Sequence, residues 1–348
     1  MVLRLLFSIA PSMIVWGEGQ THNDASPWPD ERAILTKLEG AWRCEHFASY
    51  SDELTGCAIE VFTLSRSAKR VMLEWKSQWP QYPKDADSSP EYTVIYIASM
   101  THRSIVEYVV SENRSFGEPR FTMRRMIHGQ DGDLVSLVSN GAIGSIWHWE
   151  EKDRFVGLQL PEGCRSFPYD LKQGKIRNRW TRIVNSGQQT WGSVRPIKGK
   201  EYEVLIKMAG AWMDCGIDDT TKRTVRTNTV VFTSSASGQR LVMESDFEPD
   251  LTHVLVSNPE KRCFQWYQIA ETTNPEKPSF TALLGALDEK GDSILWKNKG
   301  EPAELWHFPD TNTVWRLTPA KDDPFDVKKG VLLSRWVREK KAESGGKP

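Results

Sequence analysis

Two histidines occupy matching aromatic settings late in the two halves of the chain: Ile146-Trp147-His148-Trp149 and Leu305-Trp306-His307-Phe308. In an extended strand successive side chains point to opposite faces, so each imidazole lies across the strand from its aromatic neighbours. If the aromatics pack in an outer wall, the imidazoles face an interior, where they could ligate haem iron or hold an acidic headgroup. If the aromatics fill that interior, the histidines lie outside. The second candidate set is also duplicated. Arg70 and Glu74 recur as Arg240 and Glu244, four apart on a β-rich run. A glutamate in a closed interior can act as a base or anchor an amine. An Arg and a Glu at that spacing also share one strand face as a solvated pair.

Other chemistry is sparse. No phosphate loop, Ser-His-Asp arrangement, HExxH or carboxylate pair stands out, so no catalytic residue is assigned. Five cysteines, with no CxxC pair, give neither a structural zinc motif nor a disulfide scaffold, and no metal ligands are assigned. Cys44 and Cys57 could meet across a hairpin as one bridge, or remain small buried thiols. No cofactor is expected, haem having only the two histidines to support it.

The elements that carry these residues come twice. LTKLEGAW, from Leu35, and LIKMAGAW, from Leu205, open two stretches that stay in constant register to Glu74 and Glu244. A fixed internal period governs the whole fold and outranks local readings. Ahead of each Gly-Ala-Trp, apolar residues at helical spacing (Ile34, Leu35, Leu38; Tyr202, Leu205, Met208) predict a short helix. After it the period drops to two, and β-rich runs alternate with turn signals to the end of each repeat, as in an antiparallel barrel or sandwich. Asn178-Arg179-Trp180-Thr181-Arg182 closes the first repeat and Ser334-Arg335-Trp336-Val337-Arg338 the second. Residues 78–90 read as a loop inserted in the first repeat only.

At 348 residues, with 39% hydrophobic and 26% charged, the chain can bury two ordinary cores. A net charge of −1 offers no clustered basic surface for nucleic acid. Residues 1–19 hold an apolar run too short to span a bilayer and read as a signal peptide, which implies a secreted or periplasmic protein; uncleaved, it implies a cytoplasmic one. No other run reaches membrane-spanning length. The expected division is 30–184 for one domain, 185–200 for a linker and 201–340 for a second domain.

A short helix, Gly-X-Trp on the first strand, many antiparallel strands and an Arg on the last strand resemble the calycin superfamily of lipocalin-like barrels. The resemblance covers both repeats, through their end motifs. It implies an all-β chain of two tandem lipocalin-like antiparallel barrels, each preceded by a short helix. It also implies that Trp42 meets Arg179, and Trp212 meets Arg335, at the closed end of each barrel, by guanidinium packing on indole.

A barrel of eight to ten strands can hold one small ligand. The expected function is non-catalytic binding of a small apolar or amphipathic molecule in one or both lumens. His148, His307, Glu74, Glu244, Arg70 and Arg240 are the candidate contacts. Fifteen tryptophans suggest an alternative, a secreted carbohydrate- or protein-binding surface of exposed indoles. A third possibility is a lipocalin-like enzyme. The sequence carries no signal of oligomeric state.

Overall fold

The structure is a computed structural model that describes residues 31–48, 52–77, 92–99, 103–111, 120–138, 141–184, 199–217, 221, 223–258, 262–270 and 279–339. The expected signal peptide, the expected inserted loop at 78–90 and the expected linker up to residue 198 lie outside the described residues.

The first repeat begins with helix α1 (Glu31–Leu38) and strand β1 (Gly40–Phe47). It continues through β2 (Leu54–Leu64), β3 (Arg70–Ser77), β4 (Tyr92–Ser99), β5 (Ser104–Ser111) and β6 (Arg120–His128). It ends with β7 (Leu134–Leu137), β8 (Ile143–Glu151), β9 (Arg154–Gln159) and β10 (Lys175–Arg182). The second repeat has α2 (Lys200–Met208), β11 (Gly210–Ile217), β12 (Thr224–Ser234), β13 (Arg240–Ser245), β14 (Leu251–Asn258) and β15 (Cys263–Ala270). It closes with β16 (Ser279–Leu287), β17 (Ser293–Asn298), β18 (Glu301–Asp310), β19 (Thr313–Thr318) and β20 (Val331–Arg338). Each set pairs antiparallel in chain order, and the last strand returns to the first. Among the described residues the chain is therefore all-β, folded as two tandem closed antiparallel barrels, each preceded by a short helix. Full closure leaves neither sheet an open edge.

The helices plug one end of each barrel. Ile34, Leu35 and Leu38 on α1, and Val204, Leu205 and Met208 on α2, are buried on a single face. The Gly-Ala-Trp segment makes the corner between helix and barrel. Gly40 and Gly210 have φ of +116° and +122°, and a Cβ on Gly40 would lie 2.8 Å from Arg182 Nη1. Only glycine fits that conformation beside that neighbour. The Trp42 indole donates to the Leu38 carbonyl at 2.7 Å, and Trp212 does the same to Met208. These bonds satisfy carbonyls that the ends of the helices leave open.

The guanidinium above each indole comes from three residues beyond the expected position. Arg182 lies 4.2 Å over Trp42 and donates to the carbonyls of Lys37 and Glu39. Arg338 lies 4.2 Å over Trp212 and donates to those of Lys207 and Ala209. Strand parity decides this. Trp180 and Arg182 share one face of β10, and Trp42 stands opposite Arg182 in the ladder. Arg179 has the opposite parity and lies by Glu45 and Phe47 instead, while Arg335 is exposed.

The two barrels meet through the outer faces of β3–β5 and β13–β15. Met72, Ile95, Ile97, Val106 and Tyr108 pack with Val242, Val254, Val256, Tyr267 and Ile269 in one apolar cluster. Arg70, Glu74, Arg240 and Glu244 sit in this interface, and it determines their role. Arg70 Nη1 is 2.8 Å from Glu244 Oε1, and Arg240 Nη1 is 3.1 Å from Glu74 Oε1. The backbone N–H and hydroxyl of Ser67 donate to Glu244, and those of Ser237 donate to Glu74. Arg70 donates Nε–H to Thr252, and Arg240 donates to Thr93. Each repeat thus clamps the carboxylate of the other with the same residues, as the two halves of an isologous dimer do. The expectation of a solvated pair within one strand fails because the partner barrel covers this face. These four residues are accordingly not lumen contacts.

All five cysteines are free thiols. Cys44 stands opposite Ala58, and Cys57 opposite Glu45, so the two thiols project from opposite faces of the sheet and the hairpin bridge, one of the two alternatives, is not formed.

Candidate functional site

The two lumens have the same frame and different contents. In the first barrel Ser136 stands opposite Ser145 and Trp147 opposite Gly157; in the second the same rungs hold Trp296 opposite Glu304 and Trp306 opposite Arg316. The row Tyr96–Glu107–Arg124 is matched by Leu255–Trp266–Leu283. Ser136 and Glu107 of the first lumen thus stand where the second has Trp296 and Trp266, while Trp147 corresponds to Trp306.

The consequence is volumetric. In the second lumen Trp266, Trp296 and Trp306 contact one another with ring centroids 4.9–5.2 Å apart, and Trp336 adds a fourth ring at 5.1 Å from Trp306. All four indoles are buried. Arg316 reaches across Trp336 and is bound by Glu304, which also accepts from the Trp306 indole. Burial lowers the Arg316 pKa, and the Glu304 carboxylate more than reverses this, so its charge is held firmly. The second lumen is a packed core.

The first lumen holds a cavity of about 340 Å³. Trp147, Trp180 and Leu73 give it an apolar side; Glu60, Tyr96, Glu107, Arg124, Arg177 and Asn178 give it a polar one. Gly157 keeps the wall thin, since a Cβ there would lie 3.0 Å from the Trp180 ring. Arg177 falls in the break of register between Ile176 and Asn178. A bulge of this kind re-aims a side chain, here toward the cavity.

The polar groups are held in place by one another. Trp180 Nε1–H donates to Glu60 Oε2 at 2.7 Å, and Cys44 also hydrogen-bonds to Glu60. Tyr96 donates to Glu107 Oε1 at 3.0 Å, and Arg124 Nε lies 3.4 Å from the other oxygen. His46 Nδ1 and Asn178 Oδ1 are 3.0 Å apart. Burial raises the Glu60 carboxyl, against the opposing bonds from Trp180 and Cys44. Burial also pushes the Cys44 thiol far up, with Glu60 adding to the effect, and lowers His46 despite Asn178. The Tyr96 phenol is raised well above its ordinary value by burial and by the Glu107 and Glu60 carboxylates. Burial therefore favours the neutral forms of Glu60, Cys44, His46 and Tyr96, while Arg124, Arg177 and Glu107 also line or border the cavity.

The histidines are elsewhere. Trp147 belongs to the lumen, so His148 points outward, with Nδ1 2.7 Å from Asp133, which also accepts from the Tyr169 hydroxyl at 2.9 Å. His307 lies outside the second barrel, against Ser293 and the Trp315 ring. Neither imidazole can reach a lumen-bound group such as haem. The exposed-indole surface has no support among the described residues, where no tryptophan is exposed.

The lining residues had a signal that motif reading passes over. The repeats agree where they build the corner and the interface, and they differ where they face the lumen: Cys44, His46 and Glu60 stand where the second repeat has Asp214, Gly216 and Val230. The divergent inward positions carry the site.

No protein-family model matches the chain, and no curated protein matches it. Among solved structures, it is similar to a DUF3598-family protein of unknown function from Nostoc punctiforme. The identity is 10%, over 89% of this chain and 98% of that one, with a TM-score of 0.19. That likeness carries no functional argument. No described helix is long and apolar enough to cross a membrane.

Proposed function

We propose that the first barrel is a lipocalin-like (calycin) module that binds one small amphipathic molecule without chemical conversion, and that the second barrel is its structural partner. The observation that carries this reading is the contrast between the lumens: where the second places Trp266 and Trp296, the first has Glu107 and Ser136 and a cavity of about 340 Å³. Binding cavities combine apolar walls with a few placed polar groups, in volumes from roughly 300 Å³ upward. Here the flat part of a ligand stacks on Trp147 and Trp180, and its polar end meets Arg124, Arg177 and Asn178 at the rim. Two arginines there favour an oxygen-rich or anionic end.

The test is to titrate a panel of small amphipathic carboxylates and phenols while following indole fluorescence. Gly157→Leu should then push the Trp180 ring, which a Cβ there would approach at 3.0 Å, into the cavity it lines. The reading expects one ligand per chain and loss of binding in G157L, with the fold intact by circular dichroism. Saturable binding that persists in G157L, or that is lost only when second-barrel residues change, would sink it.

A further inference from the structure

Three side chains in the wall of the first lumen converge as a metal site would require. Cys44 and His46 are two apart on β1 and share its inward face; Glu60 faces inward from the adjacent β2, on the rung opposite Trp42. The Cys44 sulfur, a His46 ring nitrogen and a Glu60 carboxylate oxygen all lie within 4.8 Å of one another. A tetrahedral centre with bonds of 2.0–2.3 Å holds its ligand atoms about 3.5 Å apart, so side-chain adjustment alone closes this set.

The groups behind the ligands are already placed. Asn178 Oδ1 lies 3.0 Å from His46 Nδ1, a contact that orients the ring. The Trp180 indole donates to one oxygen of Glu60, which also bonds Cys44 of the same set. Outer bonds of this kind orient first-sphere ligands in metalloproteins. The second barrel has none of it, with Asp214, Gly216 and Val230 at the matching positions.

We propose that Cys44, His46 and Glu60 bind a zinc-class divalent cation, with a fourth position open to the cavity. One sulfur, one nitrogen and one oxygen suit Zn²⁺ better than the hard cations, which take all-oxygen shells. Three protein ligands and an open position leave room for water or an anionic group of a bound molecule. The metal site does not depend on the small-molecule reading, because the ligands lie in the wall and need no guest.

The experiment uses the full chain, reduced and treated with chelator, titrated with Co²⁺ and then with Zn²⁺ in the absence of any organic ligand. One equivalent of Co²⁺ should give intense visible bands and a thiolate-to-cobalt band in the near ultraviolet, both displaced by Zn²⁺. Cys44→Ser should abolish the thiolate band, and Cys57→Ser should leave it unchanged. His46→Ala should remove stoichiometric binding, and Asn178→Ala should weaken it by about 10–100-fold. His46 is only half-buried, so H46A keeps the test decisive if C44S fails to fold, as circular dichroism would reveal. Absence of stoichiometric Co²⁺ and Zn²⁺ binding, or a thiolate band that survives in C44S, would overturn the proposal. Fluorescence titration of C44S with the amphipathic panel reads the cavity separately, so either idea can fail alone.

Discussion

Arg70 of the first barrel donates to Glu244 of the second at 2.8 Å, in an interface where both residues are buried, and Arg240 and Glu74 repeat the contact in the other direction. Buried ions need full compensation, because desolvation consumes most of the attraction between them. Here it comes from Ser65, Ser67 and Thr252 on one side and from Ser237 and Thr93 on the other. The serine turn, the arginine and the glutamate are adjacent in each repeat, so one duplicated segment supplies both halves of both clamps.

Breaking one clamp should therefore cost more than removing it whole. Glu244→Met leaves Arg70 buried without its carboxylate and should destabilise the chain by about 3–5 kcal/mol. The double variant R70M/E244M should lose clearly less than the sum of the two single losses, as coupled neighbours do. Urea denaturation of the four proteins measures this, and additive losses would contradict the clamp.

Acid should act on the same contact. Burial alone would raise the Glu244 carboxyl, but the Ser67 and Ser65 hydrogen bonds and the Arg70 guanidinium outweigh it and hold the pKa below the ordinary glutamate value. A carboxyl depressed on folding contributes stability that is complete above its unfolded value and is lost as pH falls through the folded one. Stability should thus decline as pH drops below the ordinary glutamate range, and Glu244→Gln should flatten that limb. Denaturation midpoints across an acidic series compare the two, and parallel curves would rule out this carboxyl as the cause.

At the helix corner, Arg182 and Arg179 make opposite forecasts. Arg182→Ala removes a cation over Trp42 and the donors to two helix-end carbonyls, and should cost about 1–3 kcal/mol. Arg179→Ala loses a half-exposed contact with Glu45 and should stay within about 0.5 kcal/mol. Thermal melts rank them. Equal losses would mean that the corner is not held by its guanidinium.

Filling also differs between the barrels. Trp296→Ala empties part of the second lumen, where the indole is fully buried, and should cost about 3–5 kcal/mol. Ser145→Ala, at the cavity wall of the first lumen, should change stability by less than about 0.5 kcal/mol. His148→Ala should lower stability through Asp133 while leaving titrations of the cavity unchanged. A loss of ligand binding in H148A would show that the outer Asp133–Tyr169 contact reaches the lumen.

The sequence by itself determined the architecture. Register from Leu35/Leu205 to Glu74/Glu244 announced two copies of one unit, the change from helical to two-residue period announced a helix followed by antiparallel strands, the calycin resemblance implied that they close as a barrel, and Gly-Ala-Trp marked the corner. These are local signals, since backbone period and glycine conformation depend on near neighbours. Which arginine covers Trp42 depended on the pairing of β1 with β10, and a one-residue error in register reverses every face. The same ambiguity left His148 undecided between lumen and surface until Trp147 was seen inside. The role of Arg70 and Glu74 was out of reach, because their partners are supplied by the other barrel and not by their own strand. The cavity, likewise, is a difference between large and small residues on rungs that only the closed sheets bring face to face. Tertiary structure decided these points because each depends on what lies across a strand or across an interface, at distances in sequence that no local pattern spans.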